Sequence, residues 1–363
     1  MTVAHINAIG TAVPPHEVHG AFHAAARQFL DDPKLLSLYE RMAARSGIEA
    51  RYSFLEPVLL AEGGATDTLG FYRPGDYPGT ARRMERYEAW APALALQAIA
   101  ALDPDIAARG ITHVIVASCT GFVAPGLDQI IIGKSGIDPA AERTMVGFMG
   151  CYAAVNALRL AHHTVRSRPE AQVLVVNVEL CSLHLRHTRK LDELLAMLLF
   201  GDGASAALVT ARPHGIALTD FRAAAIPASD DMIIWRIGDQ GFVMHLDGRV
   251  PGRIAEALAH ERARNDDGGI LRGHSPADYD LWAVHAGGRT ILDAVERGFE
   301  LPAQALAPSR EVLRRHGNMS SATLMFVLAA MIAARREGGD GRRGLGMAFG
   351  PGLAAETFRF TMV

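Results

Sequence analysis

The chain has 363 residues, of which 49% are hydrophobic and 21% are charged, a balance typical of folded globular proteins rather than disordered ones. Its length predicts two domains or one duplicated fold. The formal net charge of -3 gives no reason to expect nucleic acid or an anionic membrane as the main partner.

Features that would place the protein in a membrane or outside the cell are not seen in the sequence. No apolar run approaches the roughly 18 residues that span a bilayer. Residues 1–7 lack the basic stretch and apolar core of a signal peptide. Cys119, Cys151 and Cys181 are too few and too far apart for a disulfide framework or a zinc site. We therefore expect a cytoplasmic protein with reduced thiols, no metal and no membrane insertion.

Strand-like and helix-like segments alternate along the chain. Continuous apolar runs predict buried strands at 111–119, 173–178, 204–210, 279–285 and 345–349. Apolar periodicity predicts helices at 289–299 and 322–336. Composition predicts irregular segments at 53–90, 265–275 and 338–344. Buried strands interleaved with helices indicate an α/β protein whose sheet is covered on both faces.

Two short motifs resemble each other in the two halves of the chain. Phe200-Gly201-Asp202-Gly203-Ala204 and Phe349-Gly350-Pro351-Gly352-Leu353 each place a phenylalanine before a Gly-x-Gly. Each phenylalanine either packs in the core or walls a pocket whose glycines let backbone approach a ligand. The repetition predicts a duplicated α/β core, with the active site where loops from both halves meet.

Cys151 is the best candidate for a nucleophile. It follows the apolar, glycine-broken segment 145–150 and directly precedes a helix-periodic run. At a helix N-terminus the macrodipole favours the thiolate, which is the nucleophilic form of cysteine. The alternative is a small buried cysteine that only packs, and for an isolated cysteine this is the commoner case.

Two further polar residues fit a site built around a thiolate. His285 ends a predicted strand, and the small residues Ala286-Gly287-Gly288 after it leave its ring uncovered, so it is a candidate base. Asn318 precedes an apolar helix, and its amide would donate to a developing oxyanion. The alternatives are a core histidine bonded to backbone groups and a capping or turn asparagine.

Together, in this order and at these distances, the motifs resemble the type III polyketide synthases of the chalcone and stilbene synthase superfamily. The resemblance covers essentially the whole chain, from Pro14-Pro15 to the C-terminal strand. It implies an α/β thiolase fold, a duplicated five-layer α-β-α-β-α core with halves at residues 1–212 and 213–363, and a homodimer. It also implies an acyltransferase that needs no metal or cofactor, because acyl-CoA and malonyl-CoA are its substrates.

By this resemblance, Cys151, His285 and Asn318 form the catalytic trio. Cys151 attacks an acyl-CoA starter and carries the growing chain, while His285 pairs with it as an imidazolium. His285 and Asn318 bind the thioester carbonyl of malonyl-CoA and stabilise the enolate that remains when CO2 departs. The enolate then attacks the Cys151 thioester, and the finished polyketide closes to a pyrone or a resorcinol-type ring.

The resemblance also assigns residues to the substrate cavity and to CoA. Phe200 matches a gatekeeper between the CoA tunnel and the cavity. The other implied cavity residues are Phe349, Cys119, Cys181, His184, Trp235, Met244, Ala124, Ser320, Gly350 and Pro351. The implied CoA-binding residues are Arg41, Arg45 and Gly287, although the two arginines could also be solvated side chains one helical turn apart. Leu38 falls where plant enzymes have a third basic residue.

The resemblance favours a fatty acyl starter, and the sequence leaves the identity and length of its chain open. Residues 147–151 are most similar to bacterial alkylresorcinol and alkylpyrone synthases, which take such starters. Ala124 stands where plant chalcone synthases have a methionine that crosses the dimer interface, and small residues there would leave room for an acyl tunnel. Trp235 would narrow a pocket for aromatic starters.

Three other functions match parts of this pattern. The β-ketoacyl-acyl carrier protein synthase III shares the Cys-His-Asn set, but its histidine is typically followed by Gln-Ala-Asn, whereas His285 precedes Ala-Gly-Gly. A catalytically silent homologue is disfavoured because all three reactive side chains are present. A papain-like hydrolase has its cysteine near the mature N-terminus, in a different local motif.

Overall fold

The structure is a computed structural model that describes residues 2–61, 63–264, 266–334 and 341–363. Its strands are β1 (Ala4–Ala12), β2 (His16–Glu17), β3 (Tyr52–Ser53), β4 (Pro57–Leu59), β5 (Ala65–Asp67), β6 (His113–Ser118), β7 (Glu142–Gly147), β8 (Val173–Leu180), β9 (Asp202–Thr210), β10 (Ile216–Ala225), β11 (Ile233–Gly238), β12 (Gly241–Leu246), β13 (Leu281–Val284), β14 (Arg343–Gly350) and β15 (Ala354–Met362). Its α-helices are α1 (His19–Phe29), α2 (Pro33–Ala44), α3 (Thr80–Leu102), α4 (Leu127–Ser135), α5 (Ala153–Ser167), α6 (Leu191–Leu199), α7 (Val250–Ala263), α8 (Arg289–Phe299), α9 (Ala307–His316) and α10 (Ser321–Ala333).

The main sheet has nine strands in the order β13-β14-β15-β10-β1-β9-β8-β6-β7. In the first half of the chain, β8 is antiparallel to β9, and β9 is antiparallel to β1. The second half repeats this pattern, since β14 is antiparallel to β15 and β15 is antiparallel to β10. The two sets join where β1 pairs with β10. The sheet topology therefore has the internal repeat that the two similar motifs predict.

Alternation along the strands distributes side chains between helical layers. On β6, Val114 and Val116 pack in a cluster with α3 and α4, whereas Ile115 and Ala117 pack on the opposite face with α5 and α10. Because successive side chains of a strand point to opposite faces, a strand buried on both sides needs apolar residues at every position. A third cluster packs α7 and α8 against β13 and β14. The helices therefore lie in layers on the sheet, and α5 and α10 share one of these layers.

Most of the expected elements are confirmed, with shifted ends. All five predicted strands are present as β6, β8, β9, β13 and β14, and the helix at 289–299 is α8. The last predicted helix is α10, but Arg335 and Arg336 lie outside the described residues, as do Asn265 and residues 338–340 of the expected loops. Residues 343–344 already belong to β14.

The prediction of an irregular segment at 53–90 is wrong for the last part of that range. Helix α3 begins at Thr80, directly after the last glycine of that glycine- and proline-rich stretch. Tertiary packing explains the early start, because Arg83 and Tyr87 of its first turns are fully buried. Their burial gives this charged segment a core-facing side that its composition alone conceals.

Candidate active site

Cys151 lies in a single tight turn, Gly150–Tyr152, that leads directly into α5. Two residues before it adopt positive φ angles, Phe148 at 58° and Gly150 at 77°. A Cβ on Gly150 would lie 2.4 Å from Cδ of Pro351, so glycine is required there by conformation and by space. The Tyr152 hydroxyl donates to the Pro351 carbonyl at 3.2 Å. Pro351, in the glycine motif of the second half of the chain, thus packs against the turn of the first half that carries Cys151.

His285 follows β13 and is buried, with 2% of its surface exposed. Its backbone N–H donates to Met347 O at 2.8 Å, which fixes the residue at the end of the strand. Among the described residues, neither Nδ1 nor Nε2 has a hydrogen-bond partner. Backbone groups of the described residues therefore do not satisfy the ring, as the interpretation as a core histidine requires. A buried polar group without a partner costs about 1–3 kcal/mol.

Asn318 is held in the segment before α10 by its own side chain. Its Oδ1 accepts from the backbone N–H of Ser320 at 2.8 Å, which is the turn geometry expected of an asparagine at this place. Its Nδ2 points elsewhere and donates to Gly287 O at 3.3 Å. One end of the carboxamide therefore shapes the chain, while the other end is presented to the site.

The trio is brought together by these contacts. The side chains of Asn318 and Ser320 lie beside the Cys151 sulfur, and both act to lower the pKa of its thiol. Gly287, which accepts from Asn318, adjoins the imidazole, because a Cβ built there would lie 3.5 Å from Nε2 of His285. Asn318 thus lies beside Cys151, and its hydrogen bond to the Gly287 carbonyl connects it to the segment that carries His285.

Burial opposes charge on both the thiol and the imidazole. Burial, together with the nearby Glu179, raises the pKa of Cys151 to about 11, although the bonds from Ser320 and Asn318 act in the opposite direction. Burial lowers the pKa of His285 to about 3. Burial therefore opposes the thiolate that the position at a helix N-terminus favours. Moving one proton from sulfur to nitrogen creates both charges at once and leaves the net charge of the site unchanged.

Glu179 is a buried acid of the site that the sequence analysis missed. It lies on β8, fully buried, and accepts from Cys119 N at 3.0 Å, from Thr120 Oγ1 at 2.8 Å and from the Ser321 hydroxyl. Cys119 also contacts Ser320, with 3.2 Å between sulfur and oxygen. The available signal was a single carboxylate in a buried strand, 173–180, whose other residues are apolar except for Asn177.

A cavity of about 1340 Å³, counting its opening to solvent, begins at Cys151. Eight of the predicted cavity residues line it: Phe200, Cys119, Cys181, His184, Trp235, Met244, Ser320 and Pro351. The lining also includes α1 residues Ala21, Phe22 and Ala25 and α6 residue Met197, which were not predicted. Helices far from Cys151 in the sequence thus form much of its wall.

His184 and Trp235 build the wall of the cavity by directed hydrogen bonds. His184 Nε2 bonds Thr120 O at 2.7 Å, and its Nδ1 accepts from Phe242 N at 3.0 Å. Burial lowers the pKa of His184 to about 3, so the ring is neutral and both nitrogens are satisfied. Trp235 Nε1 donates to Cys119 O at 2.8 Å. These contacts give His184 a structural part rather than a reactive one.

Three residues predicted to line the cavity lie outside its lining. Phe349 is buried in the cluster formed with α7 and α8, because its strand position points away from Cys151. Gly350 packs against the Tyr152 ring, where an added Cβ would lie 2.4 Å from a ring carbon. Ala124 is exposed, on the segment between β6 and α4. In the single chain, none of these three residues contributes to the lining of this cavity.

The residues predicted to bind CoA lie on neighbouring surface segments. Arg41 and Arg45 are exposed at the end of α2, and Arg41 donates to Ser37 Oγ at 2.9 Å. The Arg45 carbonyl accepts from Arg289 Nη1 at 3.3 Å. Arg289 begins α8, two residues after Gly287, so the end of α2 adjoins the segment that carries His285.

Two family models match the chain in succession. Chalcone and stilbene synthases, N-terminal domain, matches residues 2–213, and Chalcone and stilbene synthases, C-terminal domain, matches residues 218–363. The chain therefore belongs to the chalcone and stilbene synthase family and is a type III polyketide synthase, a condensing enzyme of the acyltransferase type.

Individual relatives and solved structures agree with this assignment. The chain is 31% identical over 378 residues to the alpha-pyrone synthesis polyketide synthase-like Pks18 of Mycobacterium tuberculosis, covering 100% of this chain and 92% of the relative. It is 32% identical over 358 residues to 1,3,6,8-tetrahydroxynaphthalene synthase of Streptomyces coelicolor, covering 95% and 88%. The crystal structure of that synthase superposes with a TM-score of 0.84 at 28% identity, covering 100% of this chain and 99% of that one. The type III polyketide synthase domain of Steely1 from Dictyostelium superposes with a TM-score of 0.86 at 23% identity, covering 99% of each chain.

Two further observations concern membranes and metals. Within the described ranges, no helix has both the length and the apolar character needed to cross a bilayer. In the same part of the chain, no three His, Cys, Asp or Glu side chains are grouped so that they could hold a metal ion.

Proposed function

We propose that this type III polyketide synthase loads a fatty acyl-CoA starter on Cys151 and extends it with malonyl-CoA. The observation that carries the proposal is the buried imidazole of His285. Neither of its nitrogens has a hydrogen-bond partner among the described residues, and it lies near the Asn318 carboxamide, which is itself beside the Cys151 sulfur. A buried imidazole without hydrogen-bond partners destabilises the folded protein. A thioester carbonyl bound there would supply the missing partner.

Loading begins with proton transfer from the Cys151 thiol to His285. The thiolate attacks the carbonyl carbon of the acyl-CoA, and the C–S bond to CoA breaks. The departing CoA thiolate takes up the proton from the imidazolium. The starter is then a thioester of Cys151, and His285 is neutral again. No cofactor is needed, because the thioester itself supplies the activated acyl group.

Extension uses the same histidine together with Asn318. The thioester carbonyl of malonyl-CoA accepts hydrogen bonds from His285 Nε2–H and Asn318 Nδ2–H, as in an oxyanion hole. The bond to the carboxylate breaks, CO2 leaves, and the electron pair forms an enolate stabilised by these two donors. The enolate carbon attacks the Cys151 thioester and expels the thiolate, so the chain leaves as a β-ketoacyl-CoA. Reloading of this product on Cys151 allows the next extension.

A long acyl starter fits the character of the cavity. Ala21, Phe22 and Ala25 of α1 and Met197 of α6 add apolar wall beyond the residues near Cys151. A cavity lined in this way gains free energy from the burial of methylene groups, about 0.8 kcal/mol for each. The relative from Mycobacterium tuberculosis is named for alpha-pyrone synthesis, and we propose a pyrone or resorcinol-type ring for this product.

CoA binding and dimer formation belong to the same proposal. Arg41, Arg45 and Gly287 would bind the CoA moiety at the surface next to His285, with the arginines on its phosphates. A homodimer would cover the edge strand β7 and the exposed side chains of Phe122, Met145 and Met149. Ala124 lies on this same side, which is where a partner would reach it. We also propose that the enzyme works in the cytoplasm.

The test is a panel of acyl-CoA starters from acetyl to long-chain, each incubated with malonyl-CoA and analysed by mass spectrometry. We expect pyrone or resorcinol products, made most efficiently from fatty acyl starters. Malonyl-acyl carrier protein in place of malonyl-CoA is the matched control. Extension from the carrier protein but not from malonyl-CoA would contradict the proposal, as would extension by a Cys151→Ala variant.

A further inference from the structure

Arg51 is a buried cation in the wall of the cavity that has no part in the chemistry described above. It directly precedes β3 and is 3% exposed. Its Nη1 donates to Met197 O at 2.9 Å and to Phe200 O at 2.7 Å, so it caps the C-terminal end of α6. Burial lowers the pKa of Arg51 to about 10, so it remains charged at neutral pH, where a cation at a helix C-terminus is favourable.

The carbonyl that Arg51 holds belongs to the segment that fixes Asn318. Phe200 and Asn318 form an isolated parallel bridge between the two halves of the chain. In this bridge Asn318 N donates to Leu199 O at 2.7 Å, and Gly201 N donates to Asn318 O at 3.0 Å. The backbone position of Asn318 is therefore set by the residues around Phe200.

The aliphatic part of Arg51 packs against both strands of this bridge. A Cβ on Gly317 would lie 2.8 Å from Cγ of Arg51, and a Cβ on Gly201 would lie 3.3 Å from Cβ of Arg51. Gly317 also has a positive φ of 67°, so its conformation favours glycine as well. Arg51 thus holds the crossing by hydrogen bonds at its head and by close packing along its stem.

A directed chain of hydrogen bonds holds the other side of the guanidinium. Arg51 Nε donates to His19 Nδ1 at 3.0 Å, His19 Nε2 faces His23 Nε2 at 3.3 Å, and His23 Nδ1 faces the Tyr39 hydroxyl at 3.1 Å. Arginine can only donate, so Nδ1 of His19 must accept and its Nε2 must carry the proton. His23 then accepts at Nε2 and donates to Tyr39. Each ring is fixed in one tautomer by the arginine.

We propose that Arg51 is a positioning residue that aligns the Asn318 carboxamide by fixing the bridge between Phe200 and Asn318. This inference rests on the proposed function, because Asn318, the residue that Arg51 positions, is the proposed hydrogen-bond donor to malonyl-CoA. Lysine cannot replace it, because one ammonium lacks the planar fork that reaches the carbonyls of α6 and His19 at once. Misplacement of a catalytic group by about 1 Å can cost about 100-fold in rate.

The first experiment compares two partial reactions of the full enzyme at saturating substrate. Arg51→Lys is expected to lower kcat for malonyl-CoA decarboxylation between about 10-fold and 100-fold, because this step needs the Asn318 donor. Acylation of Cys151 by the starter should change less than about threefold, because Asn318 acts on this step only as the smallest of the influences on the pKa of Cys151. The control is Arg83→Lys, since Arg83 is also a fully buried arginine bonded to backbone carbonyls, those of Pro78, Leu183 and Leu185.

The second experiment separates positioning from simple loss of stability. In an Asn318→Ala background, Arg51→Lys should lower decarboxylation by less than about twofold further, because the group that it positions is already gone. Arg83→Lys should give the same factor with and without Asn318. Full additivity of Arg51→Lys with Asn318→Ala overturns the inference, and so do equal losses in loading and decarboxylation.

A second variant covers the possibility that Arg51→Lys does not fold. His19→Leu removes the acceptor of Arg51 Nε and should produce a smaller loss that is again confined to decarboxylation. An unchanged decarboxylation rate in folded His19→Leu and folded Arg51→Lys also overturns the inference. The proposed function fails differently, because then the wild-type enzyme itself would not decarboxylate malonyl-CoA.

Discussion

Replacement of His285 by glutamine or alanine tests whether the histidine, and not the helix, creates the reactive thiolate. Beside a neutral His285, burial raises the pKa of Cys151 to about 11, so without a proton acceptor about 0.01% of the thiol would be ionised at pH 7. If the ion pair with His285 keeps most of Cys151 as the thiolate at this pH in the wild-type enzyme, the variant has about 10⁴-fold less thiolate. Each of these is more basic and about 10²-fold more nucleophilic, so the net loss is about 10²-fold.

The assay is alkylation of Cys151 by iodoacetamide between pH 6 and pH 10, followed by mass spectrometry of its peptide. In the variants we expect a rate about 10²-fold lower at pH 7 that keeps rising up to pH 10, whereas the wild-type rate should level off below pH 8. Cys119 and Cys181 are internal controls, because burial holds the pKa of each well above its usual range. Identical pH profiles in wild type and variants would refute the reasoning.

The other predictions concern four different parts of the structure. Asn318→Ala should lower malonyl-CoA decarboxylation by about 10²–10³-fold and starter loading much less, measured as separate half-reactions; equal losses would contradict its role. Ala25→Phe fills part of the cavity lined by α1, so the longest starter accepted should become shorter, while kcat/KM for short acyl-CoAs is kept. Arg45→Leu should raise KM for acyl-CoA several-fold but leave KM for the acyl-N-acetylcysteamine thioester, which lacks phosphates, unchanged. Burial raises the pKa of Asp202 to about 7, so the folded state binds its proton more tightly than the unfolded chain, and this contribution to stability is lost as pH rises from about 4 to about 7. Asp202→Asn should remove that decline, at most about 4 kcal/mol, from the unfolding free energy measured in denaturant titrations; an unchanged slope would contradict the burial effect.

The sequence indicated which segments of the candidate site come together better than it indicated their surroundings. Cys151, His285 and Asn318 stand in short motifs whose glycines and strand ends are visible in the sequence, and these motifs do lie together in the fold. Glu179 and Arg51 were missed, because a single charged residue in an apolar segment or before a short strand carries no local pattern. Their meaning depends on partners more than 100 residues away, such as Ser321 and Phe200.

The electrostatic state of the site was also beyond the sequence. The position of Cys151 before α5 predicts that the macrodipole favours the thiolate, yet burial raises the pKa of the thiol. The desolvation of a group depends on every chain segment that covers it, and here those segments come from both halves of the protein. Periodicity along one helix contains no such information.

The amino-acid pattern by itself determined the alternation of strands and helices, the repeated motifs and the three side chains proposed to react, because these follow from local periodicity and short motifs. Only the tertiary structure decided that α1 and α6 wall the cavity, that Phe349 turns away from it and that Arg51 holds the crossing at Asn318. These features arise from contacts between distant segments, whose geometry is fixed by packing.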